Sequence, residues 1–175
     1  MCEIDNERIA HLEREIAQLR EMLESMTFSN IDGNLNVAIT STIDELSITV
    51  VNTAESSIDV KQAESIDITI ASISGDVAIN APSGSVEINT GDINGSSIIN
   101  AANGDMEIDT GDISGGISIT AETGDVVLSA GDIVNGINAS TDSGDVMLNA
   151  SDVSGPVNAS TVSGDVINGP VETDE

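Results

Sequence analysis

Carboxylates are the only abundant reactive groups in this sequence. Of 175 residues, 31 are Asp or Glu, against four Lys or Arg, one His and one Cys, for a formal charge of −27. Many aspartates recur at fixed spacing. Gly91-Asp92, Gly111-Asp112 and Gly131-Asp132, then the variant Ser151-Asp152, form one series of period 20. Gly104-Asp105, Gly124-Asp125, Gly144-Asp145 and Gly164-Asp165 form a second. Two chemistries suit repeated carboxylates. A ladder of calcium ions would need six to eight oxygens per ion. Glycoside hydrolysis would need a carboxyl pair flanking a sugar. The Gly-Gly-x-Gly-x-Asp pattern of calcium-binding rolls is missing, and Gly115-Gly116 is not followed by the required Asp. Sugar platforms are usually aromatic, and Phe28 is the one aromatic residue. His11 and Cys2 sit far from the repeats, so no Ser-His-Asp or Cys-His set can be assembled around them. The expectation is no catalytic residue, no cofactor and no dedicated metal site, with weak calcium binding left to the Asp columns. The aspartates then serve as corner residues that bond back to nearby amides and solvate the surface.

The elements that carry these corners follow from the same period. Ile73, Ile93, Ile113, Ile133 and Val153 fall in one apolar column, and Val86, Met106, Val126, Val146 and Val166 in another. Ile68, Ile88, Ile108, Leu128 and Leu148 make a third, and Ile79, Ile99, Ile119, Ala139 and Ala159 a fourth. Within a unit, apolar residues alternate with polar ones, the period-two signature of strands. A 20-residue unit cannot bury its own apolar face, but stacked units can. The pattern predicts a mainly β fold, a β-solenoid with about 20 residues per coil. Glycine is expected to supply positive φ at the corners. Residues 71–170 read as the regular solenoid. Residues 27–70 keep apolar positions such as Leu46, Ile48 and Ile66 without the Gly-Asp corners, so they read as a transition with degenerate coils. Residues 171–175 are an acidic tail.

Residues 1–26 differ in kind. They hold Arg8, Arg14 and Arg20, three of the four cations, and neither Gly nor Pro. Ile9, Ile16 and Leu23 occupy position a of a heptad, and Leu12, Leu19 and Met26 position d. In a parallel neighbour Arg8 would face Glu13, and Glu15 would face Arg20, each pair of opposite sign. The expectation is an N-terminal parallel coiled-coil helix that joins copies of the chain. Ile at a with Leu at d suits two strands. Arg8-Ile9-Ala10-His11-Leu12-Glu13 resembles the Arg-h-x-x-h-Glu pattern (h apolar) of short trimeric coiled coils, which favours a homotrimer over a dimer.

Two resemblances extend this reading. Ser74-Gly75-Asp76-Val77, Ser143-Gly144-Asp145-Val146 and Ser163-Gly164-Asp165-Val166 resemble the repeats of Ser-Gly-Asp-Val-rich, adhesin-like bacterial β-solenoid domains, over about residues 71–170. The layout of coiled coil followed by β-helical shaft resembles bacteriophage trimeric fibres, spikes and capsid decoration proteins. That resemblance implies a structural virion protein, assembled in the host cytoplasm, whose partners are itself and other virion components such as capsid or tail proteins. A host surface receptor has no motif behind it. The alternatives are a cellular self-assembling or adhesin-like solenoid scaffold and, less favoured, a DNA mimic. Binding of nucleic acid is not expected, because phosphate contacts need Lys and Arg. No apolar run is long enough for a transmembrane helix. The acidic start, Met1-Cys2-Glu3-Ile4-Asp5, is unlike a signal peptide.

Overall fold

The computed structural model describes residue 14 and residues 25–28, 34–53 and 55–169. The described elements are all strands: β1 (Ser25–Phe28), β2 (Asn34–Thr53), β3 (Glu55–Ile73), β4 (Val77–Ala81), β5 (Ser85–Thr90), β6 (Ser97–Asn103), β7 (Met106–Thr110), β8 (Ile117–Thr123), β9 (Val126–Ile133), β10 (Ile137–Ser143), β11 (Val146–Val153), β12 (Val157–Ser163) and β13 (Val166–Asn168). Every pairing is parallel, and from β4 onward each joins residues 20 apart, as in Val86↔Met106 and Ile99↔Ile119. The result is a β-solenoid of about six turns.

The even strands β4 to β12 stack into one face and the odd strands β5 to β13 into the other. The two faces meet in β3. Its first half pairs β4 at Ser56–Asp59, and its second half pairs β5 at Ser65–Ile70. A short third side closes each coil through the single bridges Ile73↔Ile93, Ile93↔Ile113 and Ile113↔Ile133. The period-two alternation sends one residue in two inward. β4 and β7 both run buried, exposed, buried, exposed, buried. The four apolar columns line this interior, with Leu46, Ile48, Ile66, Ile68, Met106, Ile108 and Ile113 fully enclosed. Aliphatic side chains of similar size fit a narrow, repeated cross-section, and each fully buried one contributes about 1.5–3 kcal/mol.

The few inward hydroxyls sit beside corners. Thr141 Oγ1 donates to Gly124 O at 3.2 Å, Thr161 Oγ1 to Gly144 O at 2.8 Å, and Thr90 Oγ1 to Gly91 O at 3.0 Å. Bonding the corner carbonyls removes the cost of burying a free hydroxyl. Ser97 is the exception: it stands in the column of Val77 and Ile117, and its buried Oγ has no partner among the described residues.

Two sequence expectations change here. Met26, placed at a coiled-coil d position, lies instead in β1, where it pairs with Ile48. A strand therefore begins at Ser25, inside the segment assigned to the helix. Of residues 1–24 only Arg14 is described, and it is helical and exposed, which lends the coiled coil no further support. Arg8, Ile9, Leu12, Glu13, Glu15, Ile16, Leu19, Arg20 and Leu23, the rest of the proposed seam, lie outside the described residues. Residues 34–73 are also more regular than a transition. β2 and β3 are strands of 20 and 19 residues, each running round a whole coil.

Candidate functional site: corner ladders and sheet faces

Each regular coil turns at three corners, and the Gly-Asp pairs occupy two of them. At the corner between an even and an odd strand, Gly84, Gly104, Gly124, Gly144 and Gly164 all have positive φ, from +90° to +153°. A Cβ on any of the last four would also collide with the carbonyl of the glycine one coil below, such as Gly104 O beneath Gly124, and one on Gly84 with Ala63 O. Gly91, Gly111 and Gly131 at the next corner do not adopt positive φ, contrary to the expectation that conformation explains every corner glycine. Their reason is space. A Cβ on Gly111 would fall on Asp92 Oδ1, and one on Gly131 on Asp112 Oδ1.

The vacated space holds a hydrogen bond. Asp112 N–H donates to Asp92 Oδ1 at 3.1 Å, and Asp132 N–H to Asp112 Oδ1 at 2.9 Å. The other series repeats the device: Asp125 N–H to Asp105 Oδ1 at 3.0 Å, Asp145 N–H to Asp125 Oδ1 and Asp165 N–H to Asp145 Oδ1, both at 2.8 Å. Each of these carboxylates thus satisfies a corner backbone donor one coil on. Carboxylate acceptors make the stronger class of such bonds. They also place negative charge against N–H dipoles, offsetting the repulsion of carboxylates stacked at about 4.8 Å.

Ser151 tests this account within one molecule. It stands where the column has glycine, and among the described residues no hydrogen bond joins Asp152 N–H to Asp132 Oδ1. Asp132 and Asp152 pair instead as part of the β9–β11 ladder. Asp152 Oδ1 is buried without a partner among the described residues.

The third corner was missed in the sequence. Gly75, Gly95, Gly115, Asn135 and Gly155 recur every 20 residues and would have revealed it. Asp76 serves there as well, its Oδ1 accepting from Ser96 N–H at 2.8 Å. Asn135 fills the glycine slot and donates from Nδ2 to Ser114 O at 3.2 Å, and Gly136 takes φ of +95°.

The solvent faces carry their own columns. Along the middle of the odd sheet Asp67, Glu87 and Glu107 are followed in register by Val127, Met147 and Ile167. Partial burial, then the neighbouring Glu87 charge, raises the Asp67 pKa above its ordinary 3.8. A groove of about 350 Å³ opens where the two halves of this column meet, lined by Glu87, Asp105, Met106, Glu107, Asp125 and Val127 among others. Among the described residues, no three His, Cys, Asp or Glu side chains gather into a cation site. Cys2 and His11 lie outside the described residues.

The family model described as Toastrack DUF4097 matches residues 15–174. The chain belongs to the Toastrack DUF4097 family. The match takes in β1, so the Toastrack domain includes the strand that the heptad pattern had claimed. It also includes β2 and β3, which lack the Gly-Asp corners. No curated protein and no solved structure matches this Toastrack chain.

Proposed function

We propose that this Toastrack chain is a non-enzymatic structural module: a short acidic solenoid rod, linked to copies of itself through the heptad seam of its first residues. The observation that carries the reading is the use made of the repeated carboxylates. In both Gly-Asp series Oδ1 holds the next coil's N–H, so the abundant reactive groups serve to build the shaft. Uniform ladders favour a rod that presents its faces over an enclosed reaction site. With Met26 in β1, the seam runs from Ile9 to Leu23, two heptads in which Arg8 and Arg20 would meet Glu13 and Glu15 of a neighbour. A stripe so short is marginal alone and gains from partner chains.

Sedimentation equilibrium tests this. A trimer has three times the 17.9 kDa chain mass, and Ile16→Asp with Leu19→Asp reduces it to one chain. A full chain that stays monomeric at roughly 100 μM, well above the μM affinities usual for specific association, overturns the self-assembling reading. The scaffold form agrees with the adhesin-like character of the Ser-Gly-Asp-Val repeats. A virion fibre, spike or decoration protein is the second form, supported by the seam standing ahead of the shaft. Mass spectrometry of purified particles separates the two: virion residence requires the chain in stoichiometric amount.

A further inference from the structure

We infer that the outer face of the odd sheet is a docking surface for an amphipathic helix of another protein, cationic along one half and apolar along the other. The column Asp67, Glu87, Glu107, Val127, Met147 and Ile167 changes character once, midway, and stays in register throughout. Its apolar half is exposed, Met147 by 37% and Ile167 by 48%. Beside it runs the polar column Asn89, Asp109, Ser129 and Asn149, which adds one exposed carboxylate to the acidic half.

Spacing selects the shape of the partner. Coils repeat at about 4.8 Å, close to the 5.4 Å pitch of an α-helix. A helix lying along the stack meets about one coil per turn. Five intervals span about 24 Å, the length of roughly 16 helical residues. The groove at the changeover, with Glu87, Glu107, Asp105 and Asp125 beside half-buried Val127, suits a Lys or Arg that lays its stem on Val127 and keeps its charge among carboxylates.

Charge selects the identity of the partner. A second copy of this chain, at −27, fails in both orientations. Parallel alignment sets carboxylates on carboxylates, and antiparallel alignment sets them on Met147 and Ile167. The chain's own first 26 residues carry seven acids against three arginines, so they do not complement the acidic half either. A foreign cationic segment offsets the stacked charges of Asp67, Glu87 and Glu107 and covers the apolar half in the same contact.

The test uses the full chain and a labelled synthetic helix of about 20 residues, with lysines along one half of a face and leucines along the other. Fluorescence anisotropy should show saturable binding that weakens about ten-fold with Glu87→Lys plus Glu107→Lys, and about three-fold with Met147→Ser. Glu122→Lys plus Asp142→Lys, on the opposite side, should change it less than two-fold by the same scale. All four acids and Met147 are exposed, so circular dichroism should show every variant folded. Equal binding of a scrambled peptide of the same composition would mean general attraction to a polyanion and overturns the proposal. So does an equal loss from the opposite-side variant, or absence of binding. Loss of self-association with Met147→Asp would assign the face to a second copy and overturns it as well.

Discussion

Between Asn34 and Ile73 the chain rounds its coils in two long strands without a single glycine, whereas between Val77 and Asn168 every coil is cut into two strands by glycine corners. The ladders differ accordingly. Early pairings are 21 residues apart on the even face, as in Asn34↔Glu55 and Ser56↔Val77, and 20 apart on the odd face. The register of β2 on β3 slips between Ile39 and Thr42. Later pairings hold to 20 on both faces. A side chain at a corner needs a wider bend, and the extra residue of a bulge supplies it. Glycine tightens the corner, and the carboxylate beside it holds the N–H that the strand has released. Strict periodicity is thus a product of the corners, more than of the apolar columns, three of which run through both regions.

The sharpest way to break this contrast is to exchange corner chemistry between the regions. Gly124→Val would force a branched side chain into φ of +106° and against Gly104 O. It should cost about 3 kcal/mol or more in chemical unfolding. Glu64 stands in β3 at the same place in the column, four coils' spacing before Gly144. Glu64→Gly should cost at most about 1 kcal/mol, the usual entropy penalty of glycine in a strand. Similar losses at both sites would mean that the corner column is no more demanding in the later coils than in the early ones.

A smaller effect isolates the carboxylate. Asp125→Ala leaves Asp145 N–H without its 2.8 Å acceptor at an exposed corner and should cost about 1 kcal/mol. The loss should persist in high salt, because the bond is short-range. Stabilisation on removing this charge would show that repulsion along the column outweighs the hydrogen bond. Ser151→Gly runs the experiment in reverse. It reopens the space that Asp132 Oδ1 needs to reach Asp152 N–H, and it should stabilise the last regular corner by about 0.5 kcal/mol, net of glycine's entropy. An unchanged or lower unfolding midpoint would mean that the β9–β11 pairing at Asp132 and Asp152 already serves as well.

Much of this was legible in the residues because the signal was repeated. Four apolar columns and two Gly-Asp series at one period lead to parallel stacking, and the strands follow. Three things were hidden for physical reasons. The glycine-free coils carry no corner signal, so Leu46, Ile48 and Ile66 pointed to strands but not to two unbroken turns. The third corner lies beside a single bridge residue, too short for alternation to mark, although the Gly75-to-Gly155 column was there to be read. Conformation and clearance both select glycine, so sequence alone does not separate Gly124, which needs its φ, from Gly111, which makes room for Asp92. The candidate surface was hidden differently. Attention to inward columns passes over the outward one, where the order of Asp67, Glu87 and Glu107 before Val127, Met147 and Ile167 carries the information. The heptad frame, continued to Met26, overran into a strand because a Leu/Ile/Met alternation at spacings of three and four does not by itself mark where a helix stops.

The smallest expected effect sharpens the comparison at its boundary, where glycine-free β3 meets β5. Asp67 pairs across that boundary with Glu87, and burial followed by that neighbouring charge raises its pKa above 3.8. A carboxyl whose pKa is higher folded than unfolded holds its proton more tightly in the fold. Its contribution to stability is therefore fully present below 3.8 and is lost as pH rises through the raised value. Asp67→Asn removes that loss. The variant should gain on the parent as pH rises from below 3.8 to neutrality. Urea unfolding of the pair at both pH limits measures the difference. A gap that stays constant with pH would mean that neither burial nor the Glu87 charge holds the proton on Asp67 at the junction.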